Sequence, residues 1–364
     1  MYALREAYIS MDSMRDITPE ITYRDAVRQT APGTALRAAL DMIIAGHLGA
    51  LICIGDTENV LAAGNDGFPL DISFTANRLF ELSKMDGAIV IDKDLTQIHR
   101  ANFHLNPDPS LPTSETGMRH RTAARMSLLT DAVVISVSER RQIVNVYLDG
   151  RSFELHTVPD IMTSANQLLA TMQSTRHSLD TNLLHLTSLE LDNLVTLGDI
   201  TTIVSLFELL KTADEDLQMC IMQLGSEGRA VSMQRQGLLG NVDEVYELMI
   251  RDYALDASED AAHETLEKLH QLAEDDELDA AGIARAMGYD AMKPETLMKP
   301  LGLRTLSRIS VVREGMAERI VDEYGSLREL LTKLEHSKSK LDELGIANPT
   351  VLVDTLYRMW GKKD

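Results

Sequence analysis

The sequence predicts an α/β N-terminal domain with a mixed sheet flanked by helices, then an all-α spine and a C-terminal domain of short paired helices. Short apolar runs alternate with helical patterns up to residue 157, which is typical of an α/β domain. A hairpin signal near residue 149 adds an antiparallel pair of strands, so we expect the sheet to be mixed. No strand pattern follows Pro159, where leucines recur at helical spacing instead.

The first elements of the N-terminal domain follow a chain break at Pro32-Gly33. Thr34 can cap a helix there, because a side-chain hydroxyl satisfies an unpaired N–H group of the first turn. The run Ala50–Ile54 predicts a buried strand, since it is continuously apolar and a glycine ends it. A further helix then leads to a second apolar strand at Ala88–Ile91.

A long segment without periodicity follows that second strand. Residues 101–118 contain three prolines, and long irregular segments inside compact domains are usually functional. We expect this segment to fold over a ligand. A helix over 119–130 and a strand over 132–137 come next, and the Asp149-Gly150 turn predicts the hairpin.

The remainder of the chain is predicted to be helical. Residues 256–279 hold 10 Asp and Glu against one Lys, a pattern that favours a solvated acidic helix face over a metal cluster. From Pro300 the pattern changes to short paired helices. We therefore predict three domains, at residues 1–157, 158–295 and 296–364.

The charge of the chain restricts where nucleic acid could bind. The net charge is −21, yet residues 300–364 hold 11 Lys and Arg against 10 Asp and Glu, so the rest carries −22. An acidic surface repels nucleic acid at long range. Only the near-neutral C-terminal segment is therefore a candidate for contact with DNA.

The composition also bears on the compartment. No apolar run approaches the length of a membrane span, and the N-terminal residues lack the apolar core of a signal peptide. The two cysteines, Cys53 and Cys220, provide no disulfide framework. We expect a cytoplasmic protein that makes no membrane contact.

Two short motifs in the N-terminal domain can carry chemistry. Asp86-Gly87 runs directly into an apolar strand, where a carboxylate can hold a hard cation or orient a hydroxyl. The motif Arg119–Thr122 opens a helix, where arginines and unpaired N–H groups can hold phosphate oxygens. Each motif alone is also common as a turn or as a solvated helix end. Together they suit a metal-nucleotide site.

Longer strings around these motifs match one family in order and spacing. They are KMDGA at 84–88, RAN at 100–102, PTSETG at 112–117 and RHRTA at 119–123. The set resembles the DNA-integrity scanning diadenylate cyclases, the DisA family, and the likeness covers most of the chain. This resemblance implies an enzyme that joins two ATP molecules into cyclic di-AMP, releases pyrophosphate and uses Mg²⁺ or Mn²⁺.

The resemblance implies roles for individual residues. Asp86 would be the catalytic acid and a metal ligand, acting on the ribose 3′-hydroxyl. The nucleotide-binding residues would be Gly87, Leu105, Met118, Arg119, His120, Arg121, Thr122 and Ser138. Leu105 would line the adenine or ribose, whereas His120 would donate to phosphate or ligate the metal. Met118 stands where the family usually has threonine, so we expect a reduced rate or an altered affinity rather than lost chemistry.

The assembly and the C-terminal domain follow from the same resemblance. A two-fold symmetric product favours two facing protomers with one ATP each, and the family forms homo-octamers that end in helix-hairpin-helix units for branched DNA. Ala347 stands where the second glycine of such a hairpin is expected, which leaves DNA binding by this chain open.

Two other functions are compatible with the sequence. One is a DNA-junction-binding scaffold with weak or silent cyclase activity, which Met118 favours slightly and the acidic balance opposes. The other is a generic nucleotide-binding module. No Walker-type or Gly-x-Gly-x-x-Gly loop supports that module.

Overall fold

The computed structural model describes residues 21–290, 292–313, 315–333, 338–346 and 348–360. Ala347, on which the question of DNA binding turns, lies outside the described residues. The described chain forms two compact units. The N-terminal unit holds residues up to 167 together with 216–233, and the C-terminal unit holds 168–215 together with the residues from 234 onward.

The N-terminal unit contains all eight strands that the structure describes. The strands are β1 (Ala50–Ile54), β2 (Gly64–Asn65), β3 (Phe68–Ser73), β4 (Ala88–Ile91), β5 (Gln97–Leu105), β6 (Val133–Val137), β7 (Val144–Leu148) and β8 (Arg151–Glu154). The helices between them are α1 (Tyr23–Gln29), α2 (Ala35–Ala45), α3 (Thr57–Ala62), α4 (Ala76–Leu82) and α5 (Met118–Leu129).

The strands form one mixed sheet, as predicted. Its order is β2-β5-β4-β1-β6-β7-β8, and β3 also pairs with β5. Strand β1 runs parallel to β4, and the other pairs are antiparallel. The predicted hairpin is present, because Asp149 and Gly150 both have positive φ (49° and 74°) and make the tight turn between β7 and β8.

Two apolar layers enclose the sheet. All five residues of β1 are buried, because alternate side chains of a strand point to opposite faces and both faces are covered. Ile52 and Ile54 pack in the layer that contains α2, whereas Leu51 and Cys53 pack in the layer that contains α5. The predicted cap of α2 is present.

The prediction of an irregular segment over 101–118 was wrong for its first five residues. They belong to β5, which pairs with β2, β3 and β4. The two-residue alternation of side chains along β5 is interrupted at Asn102, which adopts a positive φ of 50° where the register with β4 shifts. A strand with a bulge and several polar residues has no clear alternation, which is why its pattern gave no strand signal.

After residue 157 the described elements are helices, as predicted. They are α6 (Val158–Asp192), α7 (Leu197–Leu224), a 3₁₀ turn (Gly225–Gly228), α8 (Arg229–Leu239), α9 (Val242–Tyr253), α10 (Glu259–Glu274), α11 (Ala280–Ala286), α12 (Leu303–Ser307), α13 (Met316–Tyr324), α14 (Leu327–Lys333), α15 (Lys338–Glu343) and α16 (Pro349–Met359). The short helices from α12 onward pack around a shared apolar cluster. None of the helices in the described ranges is both long and apolar enough to cross a membrane.

Candidate functional site

The sheet topology gathers the predicted site residues at one edge. Parallel strands β1 and β4 begin at this edge, and the antiparallel strands β5 and β6 end there. Asp86-Gly87 precedes β4, Leu105 ends β5 and Ser138 follows β6. Residues that lie up to 52 positions apart in sequence therefore share one end of the sheet.

A guanidinium group and a carboxylate approach each other at this edge. Arg119 Nη2 lies 4.0 Å from Asp86 Oδ1, and Arg119 Nη1 lies 3.9 Å from Glu139 Oε2. The Asp86 side chain is 93% exposed and that of Arg119 is 40% exposed. Gly49 leaves room for the arginine, since a Cβ at that position would come within 2.5 Å of Nη1.

The bulge in β5 holds the loop that carries Asp86. Asn102 Nδ2 donates to the backbone carbonyl of Asp86 at 2.8 Å. Gly87 has a φ of +86°, and a Cβ on it would lie 2.8 Å from the backbone carbon of Asn102. Glycine is thus required at position 87 both by its φ and by the closeness of β5.

The start of α5 is open to an anion. Its N-cap residue, Gly117, has no side chain to accept from the first N–H groups, and the first turn contains no acid. Met118 is 79% exposed at the first helical position. Arg121 is exposed and Thr122 is half-buried. The N–H groups of the first turn and the two arginines together offer several donors to an anion at this helix end.

His120 is held by a chain of hydrogen bonds. Its Nδ1 lies 2.9 Å from the hydroxyl oxygen of Tyr147, and that hydroxyl donates to Glu115 Oε1 at 2.9 Å. Because the phenol has one hydrogen and gives it to Glu115, the close contact with His120 requires Nδ1–H to donate. A neutral His120 therefore keeps the lone pair on Nε2.

The surroundings of His120 favour the neutral form of its ring. Burial lowers the pKa of His120 below its usual 6.5, and Arg141 and Arg119 add to that effect while Glu115 opposes it. Tyr147 is 1% exposed, and its burial raises the pKa of its hydroxyl, which stays protonated.

Two predicted residues make local contacts at the same edge. The Ser138 hydroxyl accepts from the backbone N–H of Arg141 at 3.2 Å, within the loop between β6 and β7. Leu105 pairs with Gly64 of β2 and packs, partly buried, against the layer that contains α5.

Two segments of the chain, one of which includes this edge of the sheet, match described protein families. Residues 37–152 match the family described as "DisA bacterial checkpoint controller nucleotide-binding", and residues 155–296 match "DisA bacterial checkpoint controller linker region". The DNA integrity scanning protein DisA of Acetivibrio thermocellus is 37% identical over 337 residues, which cover 92% of this chain and 93% of that protein. This chain belongs to the DisA family.

Further DisA relatives match at similar levels. The DNA integrity scanning protein DisA of Carboxydothermus hydrogenoformans is 37% identical and covers 84% of this chain and 88% of its own length. That of Corynebacterium efficiens is 36% identical and covers 96% of this chain and 100% of its own length. All nine residues that the sequence analysis assigned to the site fall in the segment matched to the DisA nucleotide-binding region.

Sequence reasoning missed several residues that contact or support the predicted site residues. Asn102 and Glu115 lie in the strings that carry the DisA resemblance but had no role assigned to them. Arg125 was also missed, although it anchors the segment before α5 by donating to the carbonyls of Leu111 (3.0 Å) and Pro109 (2.8 Å). Tyr147 had no sequence signal, because a buried aromatic residue in an apolar strand is ordinarily part of the core.

Proposed function

We propose that this chain is a metal-dependent diadenylate cyclase that condenses two ATP molecules into cyclic di-AMP and releases pyrophosphate. The observation that carries the proposal is the approach of Arg119 to Asp86, 4.0 Å apart, beside the open start of α5. Both residues lie in the segment matched to the DisA nucleotide-binding region. An acid beside an anion-binding helix end is the arrangement that nucleotidyl transfer requires.

The start of α5 would bind the triphosphate. Its unpaired N–H groups, together with Arg119 and Arg121, would take phosphate oxygens, and Thr122 would add a hydroxyl donor. An incoming phosphate would compete with Asp86 for Arg119, whose present pairing at 4.0 Å is long for a charge-assisted hydrogen bond. The backbone N–H of Met118 would bind the same phosphate groups.

Asp86 and Nε2 of His120 would hold the divalent cation, Mg²⁺ or Mn²⁺. The exposed carboxylate is a favoured ligand of both cations. The lone pair of the neutral imidazole is a ligand for a transition metal such as Mn²⁺ rather than for Mg²⁺. When bound, such a cation neutralises charge on the reacting phosphates.

Asp86, Gly87, Leu105 and Ser138 would position the reacting atoms. Asp86 would orient the ribose 3′-hydroxyl and take its proton, while the 3′-oxygen attacks the α-phosphorus of the other ATP. The bond from oxygen to the α-phosphorus forms as the bond to the β-phosphate oxygen breaks, and pyrophosphate leaves with that electron pair. Gly87, Leu105 and Ser138 would line the adenosine. A second, equivalent transfer closes the ring.

Two facing protomers would form the complete site. Each protomer has one such edge, and a two-fold symmetric product requires two nucleotides in symmetric positions. We extend this to the homo-octamer that the family resemblance implies. Turnover per chain is therefore expected to fall when the protein is diluted until protomers separate, and a rate per chain that is independent of dilution would contradict the facing arrangement.

We further propose that residues 296–364 form a helix-hairpin-helix-like domain that couples the cyclase to DNA structure. The relatives' name, DNA integrity scanning protein, and the near-neutral charge of this segment support the coupling. The matched nucleotide-binding and linker segments support domains at 1–157 and 158–295. A DNA-junction-binding scaffold with a weak or silent cyclase is the alternative. A gel shift with branched against linear DNA, run beside the cyclase assay, separates the two.

The decisive experiment is a product assay. Purified protein is incubated with ATP and Mn²⁺, and cyclic di-AMP is measured by chromatography and mass spectrometry, with chelator as the metal control. We expect product that disappears with the chelator. Folded protein that makes none across Mg²⁺ and Mn²⁺ would reject the cyclase, and a branched-DNA shift in the same sample would then favour the scaffold.

A further inference from the structure

We propose that the C-terminal unit holds a second metal ion, of the Zn²⁺ class, between Glu215 of α7 and His270 and Glu274 of α10. Within the described part of the chain, this is the one group of three such side chains whose ligand atoms lie within 4.8 Å of one another. The site is separate from the cyclase edge and does not depend on the proposed function.

The distances from His270 to the two carboxylates are close to those around a tetrahedral ion, and all three ligand atoms lie within 4.8 Å of one another. His270 Nε2 lies 3.2 Å from Glu215 Oε1 and 3.7 Å from Glu274 Oε1. Bonds of about 2.0–2.2 Å in tetrahedral geometry place ligand atoms about 3.3–3.6 Å apart. An ion would therefore need only small side-chain movements, and the fourth position would take water.

A buried carboxylate prepares His270 for this role. His270 Nδ1 lies 3.2 Å from Glu208 Oε2, and the other oxygen of Glu208 accepts from the Tyr246 hydroxyl at 2.7 Å. Glu208 is 1% exposed, and these contacts hold its side chain in place. An acceptor on Nδ1 directs the lone pair of a neutral ring to Nε2, which faces the other two carboxylates. Histidine ligands of zinc ordinarily have such a carboxylate partner.

The charge of the cluster favours a dication. Three carboxylates surround His270, since oxygens of Glu208, Glu215 and Glu274 lie 3.2–3.7 Å from its ring nitrogens. With a protonated ring and the neighbouring Lys211, these five side chains carry −1. A dication bound to the neutral ring brings the same group to zero. A carboxylate-imidazole donor set suits Zn²⁺ better than Mg²⁺.

The same helix provides a matched control. His263 and Glu267 of α10 are also four residues apart, with Nε2 and Oε1 separated by 3.5 Å. Both side chains are well exposed, and among the described residues no carboxylate from another helix joins them in a trio. A pair on the surface of one helix supplies too few ligands for tight binding.

The test measures metal in the full-length protein. The Asp86→Asn background removes the carboxylate assigned to the cyclase metal, and Zn²⁺ or Co²⁺ is added, followed by dialysis, elemental analysis and visible spectroscopy of the Co²⁺ form. We expect one retained ion per chain and a raised melting temperature. Glu215→Gln and Glu274→Gln should each weaken binding more than about 10-fold, whereas Glu267→Gln should not. Glu208→Gln should weaken it about 10–100-fold.

Several outcomes would overturn the site. If the parent protein retains no ion, or if Glu215→Gln and Glu274→Gln bind as well as the parent, His270 is an imidazolium in an ion-pair cluster and no metal binds there. Equal losses with Glu267→Gln would place binding on the general acidic surface of α10. Circular dichroism of each variant separates lost binding from lost folding, and Glu215, whose side chain is more exposed than that of Glu274 (39% against 18%), provides the variant less prone to misfold.

Discussion

Two carboxylate–guanidinium pairs in this molecule have opposite environments. Asp86 and Arg119 at the sheet edge are exposed, with their closest polar atoms 4.0 Å apart. Glu190 and Arg304 in the C-terminal unit are 0% and 1% exposed, with Arg304 Nη2 donating to Glu190 Oε2 at 2.8 Å. The same chemical groups thus make one open pair and one closed pair.

The closed pair is embedded in further hydrogen bonds. Tyr253 donates to one oxygen of Glu190 at 2.7 Å, and Thr305 donates to the other at 2.5 Å. Nearby, Asp252 accepts the backbone N–H groups of the start of α12 at 2.6–3.0 Å. A buried charge that is satisfied in this way serves the fold, because removing its partner leaves an uncompensated charge away from water.

The open pair contributes little to the fold, because water screens it. Its exposure leaves both side chains accessible to ligands. Asp86 can release Arg119 and bind a cation, and Arg119 can then bind a phosphate. The comparison teaches that residue type alone does not separate ligand-binding charges from structural ones. Burial does, and this can be tested by neutralising one carboxylate of either pair.

Neutralising the open carboxylate should have the largest effect on activity. Asp86→Asn keeps the shape but loses the charge that would hold the metal and take the 3′-hydroxyl proton, so we expect cyclic di-AMP formation to fall by about 10³-fold. The free energy of unfolding should change by less than about 0.5 kcal/mol. Turnover and thermal unfolding measure the two quantities, and retained turnover would reject the role of Asp86.

Neutralising the closed carboxylate should produce the reverse. Glu190→Gln leaves Arg304 buried with too little compensation, so we expect about 3–5 kcal/mol of lost stability of the C-terminal unit in denaturant unfolding. The control is Asp180→Asn, which removes the charge of a 52% exposed carboxylate that pairs with Arg176 and should cost about 0–1 kcal/mol. Equal losses in the two variants would show that burial does not distinguish these pairs.

Removing the hydroxyl that holds His120 should have an intermediate effect. Tyr147→Phe deletes both the acceptor for Nδ1–H and the donor to Glu115, so we expect a 10–100-fold loss of cyclase activity with the fold retained. Part of the loss should be recovered at high Mn²⁺ concentration, which a purely structural role would not produce. Tyr289→Phe in the C-terminal unit removes one hydroxyl donor that makes none of these contacts and should leave turnover unchanged.

The pH dependence should report the same ring. Since burial holds the pKa of His120 below 6.5, the ring is neutral at pH 7 and its Nε2 lone pair is available. Protonation removes that lone pair as the pH falls through the lowered pKa, so activity should decline about 10-fold per pH unit on an acid limb below pH 6.5. A limb centred above 6.5 in the pH–rate profile at saturating ATP would contradict this assignment.

The smallest change in activity is expected at Met118, where the family usually has threonine. Met118→Thr adds a hydroxyl at an exposed position beside the open start of α5, so we expect a gain of a few-fold in turnover. Met118→Leu, which adds no hydroxyl, is the matched control. No difference between the two variants in the product assay would show that the hydroxyl is irrelevant here.

Much of the fold was predictable from local patterns. The continuous apolar run of β1 predicts a strand that is buried on both faces. The Asp149-Gly150 pair predicts a hairpin turn, because such a turn needs two positive φ angles and these residue types accept them. Strands β3 and β5 were not predictable in this way. Pro69 within β3 is typical of an edge strand, and the bulge at Asn102 interrupts the alternation of β5.

The sequence by itself determined the residue types of the site and the elements on which they lie: an acid before β4, a basic cluster opening α5, and helices after residue 157. Tertiary structure decided which polar groups face each other, bringing Arg119 to Asp86, Tyr147 to His120, and Glu215 to His270. Periodicity reports only on neighbours within a turn or a strand. Contacts between distant segments depend on strand order and helix packing, which no local pattern encodes.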